Sequence, residues 1–179
     1  MPVNSDDKQL IQEMLGLQRR LRRFAFGMCQ SSSDAEDIVQ TAYERAISRL
    51  HQWQRGTRLD NWMYSIVRSI ALNHLRAGRL RGERLTRVEP DDTHDLGTIS
   101  PPDAVEFNAV AVAVRKLPVE QREAVLLVTV EGMSYREAAG VLGVTEAALT
   151  SRLSRGRLML ARILSGKQSR DSAAIINLR

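Results

Sequence analysis

The sequence predicts an all-α protein built as two small helical domains joined by a flexible acidic linker, and three observations carry that expectation. Apolar residues recur at three- and four-residue spacings over most of the chain, the mark of amphipathic helices rather than strands. Residues 81–103 lose this periodicity and gather Pro, Gly, Asp and Thr, as linkers do. The charge runs basic, acidic, basic: residues 1–82 carry 13 Lys and Arg against 8 Asp and Glu, residues 83–103 carry 2 against 6, and residues 104–179 carry 11 against 7. The expected division is a first domain over 1–82, a linker over 83–103, a second domain over 104–165 and a frayed tail over 166–179.

The first helix is predicted from Lys8 to Cys29, with Leu10, Met14, Leu17, Leu21, Phe24 and Met28 on one face. Its other side carries Arg19, Arg20, Arg22 and Arg23, either a solvated face or a site for DNA or protein. Ser31 to Ser33 break that helix, and Ser33 with Glu36 reads as a capping box opening the next. There Ala35, Ile38, Val39, Ala42, Ala46 and Leu50 point inward, leaving an outer stripe of Asp37, Thr41, Glu44 and Ser48 with Gln40 beside it. The acids of its first turn also oppose the positive helix end, so capping alone explains part of them.

After a turn around Gly56, Leu59 to Leu80 reads as a helix with Leu59, Trp62, Ile66 and Ile70 toward the core. Trp62 and Tyr64 lie among Asn61, Ser65 and Arg68. Aromatic rings beside amides, hydroxyls and arginines suit unstacked bases, by stacking and by edge hydrogen bonds. Trp62 fits a core position equally well. The linker, about 20 residues at about 3.4 Å each, can span roughly 70 Å. That is about two turns of B-DNA, so two basic modules can sit on separate DNA elements.

Asp103 and Glu106 open a helix with Val110, Val114 and Leu117 inward, and Pro118 starts another at its first position. The apolar run from Val119 to Glu131 suits a buried helix or a strand; Pro118 before it, Gly132 after it and its length favour helix. Ser134 and Glu137 form a capping box, Gly143 supplies a residue for a left-handed turn, and Thr145 caps the last helix. That helix holds Leu149, Leu153, Leu160 and Ile163 on one side and Thr150, Ser151, Arg152, Ser154, Arg155 and Arg157 around the rest. Two helices, a tight turn and a basic second helix make a DNA-reading helix-turn-helix. A hairpin that only packs shares the offsets of Ala139, Gly143 and Leu149 but has no need of the arginines. Arg155, one turn beyond Ser151, is expected in the major groove, and Arg157 against the DNA backbone or the protein itself. Gly156 interrupts the helix, which costs about 1 kcal/mol relative to Ala but leaves room for an approaching phosphate.

Composition narrows the function. A net charge of +5 and a pI near 10.0 favour an anionic partner. Cys29 stands alone, so there is no internal disulfide, and His51, His74 and His94 are too dispersed for a local metal motif. No metal site and no cofactor are expected. The sequence has no nucleophile elbow, phosphate-binding glycine loop or paired carboxylates, which argues against an enzyme. Without a long apolar run or a signal-peptide core it is expected to be cytoplasmic, with no membrane insertion.

Three blocks together carry a family resemblance: DAEDIVQTAYERAI, LDNWMYSIVRSIALNHLR and LPVEQREAVLLVTVEGMSYREAAGVLGVTEAALTSRLSRGRLML. They resemble conserved regions 2 and 4 of the group 4, or extracytoplasmic-function, bacterial sigma factors, in order, across about residues 15 to 165. The resemblance implies a promoter-specificity subunit that binds core RNA polymerase, recognises a −35 element and melts a −10 element. It implies polymerase binding by Asp37, Gln40, Thr41 and Glu44, and −10 recognition by Asn61, Trp62, Tyr64, Ser65, Arg68, Asn73 and Arg76. It implies −35 recognition by Thr145, Thr150, Ser151, Arg152, Ser154, Arg155 and Arg157, and an anti-sigma factor as a further partner. The sequence departs from the family at Thr41, where an acid is common, at Ser69 and Asn73, where Asn and Asp are frequent, and at Thr150, where a basic residue is usual.

Two other readings compete. A stand-alone helix-turn-helix regulator explains the second domain but gives the stripe of Asp37, Thr41 and Glu44 no task. A sigma mimic that sequesters an anti-sigma factor leaves the arginines of the last helix unexplained.

Overall fold

The computed structural model describes residues 5–29, 31–80 and 110–176, with side chains described from Lys8 to Ser165 within those ranges. The predicted linker and the opening of the second domain at Asp103 and Glu106 lie outside the described residues. Every regular element among the described residues is helical.

The first bundle comprises α1 (Ser5–Gly16), α2 (Gln18–Met28), α3 (Ser32–Ser48) and α4 (Leu59–Leu80). The single helix predicted over 8–29 is two. Leu17 N donates to Met14 O at 2.9 Å, a tightened turn that follows Gly16, whose backbone entropy weakens a helix end. The N-cap of α3 is Ser31 rather than Ser33: its hydroxyl accepts from Asp34 N at 3.0 Å, two residues earlier than the Ser33 box. Any of three consecutive serines can cap, and the one in extended backbone does so. Ala35, Ile38, Val39, Ala42 and Ala46 are buried as expected, with Leu50 partly so, and Tyr43 ties α3 to α1 by donating to Met14 O at 2.6 Å. Gly56, at φ 92°, makes the turn into α4.

The second bundle begins with a helical segment at residues 110–115, where Val114 is buried but Val110 is exposed and Ala111 takes the inward place. Pro118 is the residue before α5 (Val119–Val125), not within it. The apolar run is helical as predicted, but after α5 it widens into a π-helical turn, Leu126–Val130, closed where Glu131 N donates to Leu126 O at 2.9 Å. Then come α6 (Tyr135–Leu142) and α7 (Glu146–Ile176). The backbone of α7 continues as helix past residue 165, into the tail expected to fray over 166–179. The sequence there has no proline, and Ala173 and Ala174 favour helix.

The two bundles share one continuous core. Phe24, Met28, Met63 and Val67 of the first and Ala124, Leu126 and Leu127 of the second belong to the same buried cluster. Leu126 fills a notch at Gly27: a Cβ on that glycine would stand 2.5 Å from Leu126 Cδ2.

Candidate polymerase and nucleic-acid surfaces

Asp37, Gln40, Thr41 and Glu44 are all exposed, on the side of α3 opposite its buried alanines and branched aliphatics. Gln40 Nε2 donates to Glu44 Oε1 at 3.1 Å, so the stripe is a continuous polar surface of successive helical turns.

The predicted −10 residues on α4 divide into two groups. Asn73 and Arg76 are exposed, and Arg76 Nη1 lies 3.4 Å from Asn73 Oδ1. Nearer the helix start, Asn61, Trp62 and Ser65 are half-buried, and Ser65 donates to Asn61 O at 2.9 Å. Tyr64 is wholly buried and the Arg68 side chain is one-quarter exposed. The positions expected in the core, Leu59, Trp62, Ile66 and Ile70, are only partly buried, whereas Met63, Tyr64, Val67 and Ala71 are fully so. The cause is that α4 packs on two sides, against its own bundle and against the second, so one amphipathic face does not describe it.

Charged side chains fill this seam. Glu131, whose side chain has no exposed area, accepts from Tyr64 Oη at 2.6 Å, Arg23 Nε at 2.8 Å and Nη2 at 3.0 Å, and Arg20 Nε at 3.4 Å. Arg20 also lies over the Tyr64 ring, 5.7 Å from its centre, while Phe24 meets that ring edge-on at 5.4 Å. Arg68 Nε donates to the buried carboxylate of Glu123 at 2.8 Å. Arg122 Nη1 donates to Met28 O at 2.7 Å, capping the end of α2 from the other bundle. Arg58 bridges Asp60 and Glu137.

Burial pushes the Tyr64 hydroxyl far above its usual range, reinforced by Glu131. Burial also raises the Glu123 carboxyl, with the Arg68 hydrogen bond opposing it. Hydrogen bonding to Glu131 holds Arg23 still more firmly protonated. Cys29, packed away and pushed up to about 12 by burial, is an inert core thiol.

The helix-turn-helix has the predicted local chemistry. Ser134 and Glu137 form the reciprocal capping box, Gly143 adopts φ 66°, and Thr145 Oγ1 accepts from Ala148 N at 3.2 Å. Leu149 and Leu153 are buried, and Thr145, Thr150, Ser154, Arg155 and Arg157 are exposed. Ser151 and Arg152 are half-buried. Arg155 Nη2 donates to Ser151 Oγ at 2.6 Å, and Arg157 Nη2 reaches Thr129 Oγ1 at 3.3 Å, on the protein side. Gly156 does not wait on a phosphate: it is buried, and its missing side chain lets α7 approach α5, since a Cβ would stand 2.9 Å from Val125 Cγ2 and 3.2 Å from Gln121 O.

Sequence reasoning did not single out Glu123, Glu131 or Arg122. The signal was present: acids and an arginine inside an apolar helix need partners when buried. Among the described residues no cluster of His, Cys, Asp and Glu suits a metal, and no helix is long and apolar enough to cross a membrane.

Two all-helical modules, one with an exposed polar helix stripe and one ending in a basic helix-turn-helix, have the architecture of a DNA-binding protein. The sigma-70 region 2 family matches residues 15–81 and sigma-70 region 4 matches residues 107–160. The chain is 30% identical over 151 residues to the ECF RNA polymerase sigma factor EcfG of Rhodopseudomonas palustris, covering 80% of this chain and 78% of that one. It is 33% identical over 148 residues to the ECF sigma factor SigM of Mycobacterium tuberculosis, covering 82% and 72%. The fold is similar to that of the sigma factor RpoE from Bartonella quintana, solved with the anti-sigma factor NepR, at a TM-score of 0.75 and 28% identity over 88% of this chain and 98% of that one. The chain belongs to the extracytoplasmic-function sigma factors of the sigma-70 family. It is a promoter-specificity subunit that binds core RNA polymerase and directs initiation through −35 and −10 promoter elements.

Proposed function

We propose that the two modules divide this task, with residues 1–82 taking core polymerase and the −10 element and residues 104–165 the −35 element, across the linker at 83–103. Polymerase docks on the stripe of Asp37, Gln40, Thr41 and Glu44. The melted −10 strand runs along α4 past Asn61, Trp62, Ser65, Asn73 and Arg76, and Tyr64 and Arg68, enclosed in the seam between the bundles, reach it once the bundles part. Duplex −35 DNA receives α7, with Thr150, Ser154 and Arg155 toward the bases, Thr145, Ser151 and Arg152 at the groove edge, and Arg157 bound to the protein. The observation that carries this reading is the sharp division of α7 between buried Leu149 and Leu153 and the exposed Thr150, Ser154 and Arg155.

In this role the chain acts in the cytoplasm beside the polymerase, as an initiation factor with no catalysis of its own. An anti-sigma factor is its regulatory partner, a reading supported by the Bartonella quintana RpoE–NepR complex. Photocrosslinkers placed singly at Gln40, Asn73 and Ser154 in an assembled promoter complex test the division. Gln40 should label polymerase, Asn73 the −10 strand and Ser154 the −35 duplex. Labelling of −35 DNA from Asn73, or of polymerase alone from Ser154, contradicts it.

A further inference from the structure

The seam between the bundles places three arginines and a tyrosine of the first around two carboxylates of the second. Tyr64 and Arg68 are two of the residues assigned to the −10 strand, yet each is already satisfied, by Glu131 at 2.6 Å and by Glu123 at 2.8 Å. Arg20 and Arg23 of α2 converge on the same Glu131 carboxylate. An aromatic ring flanked by cations is the arrangement that binds single-stranded nucleic acid, with stacking on the ring and phosphates on the arginines. Here the anions in that arrangement come from the protein itself.

We propose that Arg20, Arg23, Tyr64 and Arg68 form one anion-binding surface for the single strand, that Arg20 and Arg23 are therefore strand-binding residues, and that Glu131 with Glu123 occupies this surface as an internal mimic of the DNA backbone. The proposal rests on the assignment of the −10 strand to α4 and adds α2 to it.

The seam has the composition such an exchange requires. A purely apolar seam would resist opening in proportion to its area, whereas buried ion pairs regain hydration when separated, so their net contribution to closure is small. The cations left behind then accept phosphate in place of carboxylate. Glu131 reaches them because it follows the π-helical turn Leu126–Val130, which adds a residue to the helix just before it. The steric part of the seam is separate from the charges: the three atoms nearest to a Cβ placed on Gly27 all belong to Leu126. Closure can therefore be weakened by charge or by wedge independently.

The test measures binding of the full-length chain to a fluorescein-labelled oligo(dT) strand by anisotropy, since backbone charge and stacking act in any sequence. Glu131→Gln should tighten binding about tenfold, the factor equivalent to about 1.4 kcal/mol and at the low end for hydrogen bonds to a charged group. Gly27→Leu, which alters no charge, should tighten it in the same direction. Adding Arg23→Gln to Glu131→Gln should then lose the gain, because Arg23 holds the strand as well as Glu131. If Arg23 serves only closure, the double variant binds as tightly as Glu131→Gln or tighter, and its strand-binding role is wrong. If neither Glu131→Gln nor Gly27→Leu tightens binding while both melt as folded proteins, the carboxylates do not compete with DNA and the proposal fails. Promoter-directed transcription by wild-type chain with core polymerase is measured in parallel. Its presence alongside unchanged strand binding overturns only this inference; its absence overturns the assignment on which the inference rests.

Discussion

Tyr64 donates its hydroxyl hydrogen bond to Glu131, 67 residues away in sequence and in the other bundle, at 2.6 Å. The hydroxyl thus has a task inside the protein, while the ring is the part suited to a base. Tyr64→Phe separates the two. It should lower the stability of the free chain by about 1 to 3 kcal/mol, because a buried charged acceptor loses a donor, while permanganate reactivity of −10 thymines in the polymerase complex stays at the wild-type level. Loss of opening in Tyr64→Phe would mean that the hydroxyl, too, works on DNA.

The close approach of α7 to α5 at Gly156 gives a prediction of opposite sign to helix propensity. Ala is favoured over Gly in a helix by about 1 kcal/mol, yet the new methyl would press on Val125 and the Gln121 carbonyl. Overpacking of this kind costs about 1 to 3 kcal/mol, so Gly156→Ala should be neutral to destabilising by about 2 kcal/mol in urea denaturation. A stabilised variant would place that side of α7 away from α5.

What the sequence disclosed and what it withheld follow the same physical line. Local chemistry was legible: the Ser134–Glu137 box, the left-handed Gly143, the Thr145 cap and the buried stripe of Leu149 and Leu153 depend on neighbours a few residues apart. The exposed stripe of Asp37, Gln40, Thr41 and Glu44 was equally readable, as the polar remainder of an amphipathic helix. The seam was not, because Arg20 and Arg23 look like solvated surface until Glu131 meets them. Tyr64, an aromatic that suits an unstacked base by its neighbours in sequence, is buried for the same reason. Its ring is enclosed by Phe24 and Arg20 of α2 and its hydroxyl by Glu131 of the second bundle, contacts distant in sequence that no periodicity in α4 reports. The spacing of Ser33 and Glu36 points to Ser33 as the cap of α3, whereas Ser31 takes it because its backbone is the extended one, a choice that sequence spacing does not report.

Asp37 is exposed beyond the first turn of α3, where a charge contributes at most about 0.3 to 1 kcal/mol to the helix. Asp37→Arg should therefore leave the circular dichroism spectrum and melting temperature near wild type while abolishing co-purification with core polymerase. Retained core binding would remove the α3 stripe from the docking surface.

The arginines of α7 should behave differently from one another. Arg155 is exposed beside Ser151, whereas Arg157 is turned to Thr129. A side chain reading guanine with two hydrogen bonds discriminates by about 1 to 3 kcal/mol, and a phosphate contact mainly sets the salt slope. Arg155→Ala should flatten the preference of the holoenzyme for its native −35 element over a scrambled one. Arg157→Ala should preserve both the preference and the salt slope, since its partner is protein. A salt slope lowered by about one unit in Arg157→Ala would instead put that arginine on a phosphate.

The most direct test of the whole account is reconstituted transcription on fragmented genomic DNA with purified core polymerase, with the RNA ends sequenced. Core alone should start at random, whereas core with this chain should start at discrete sites that share a −35 and a −10 element at a fixed spacing. Random starts in both reactions, with the chain bound to duplex DNA by itself, would contradict the account and leave a helix-turn-helix regulator that does not engage polymerase.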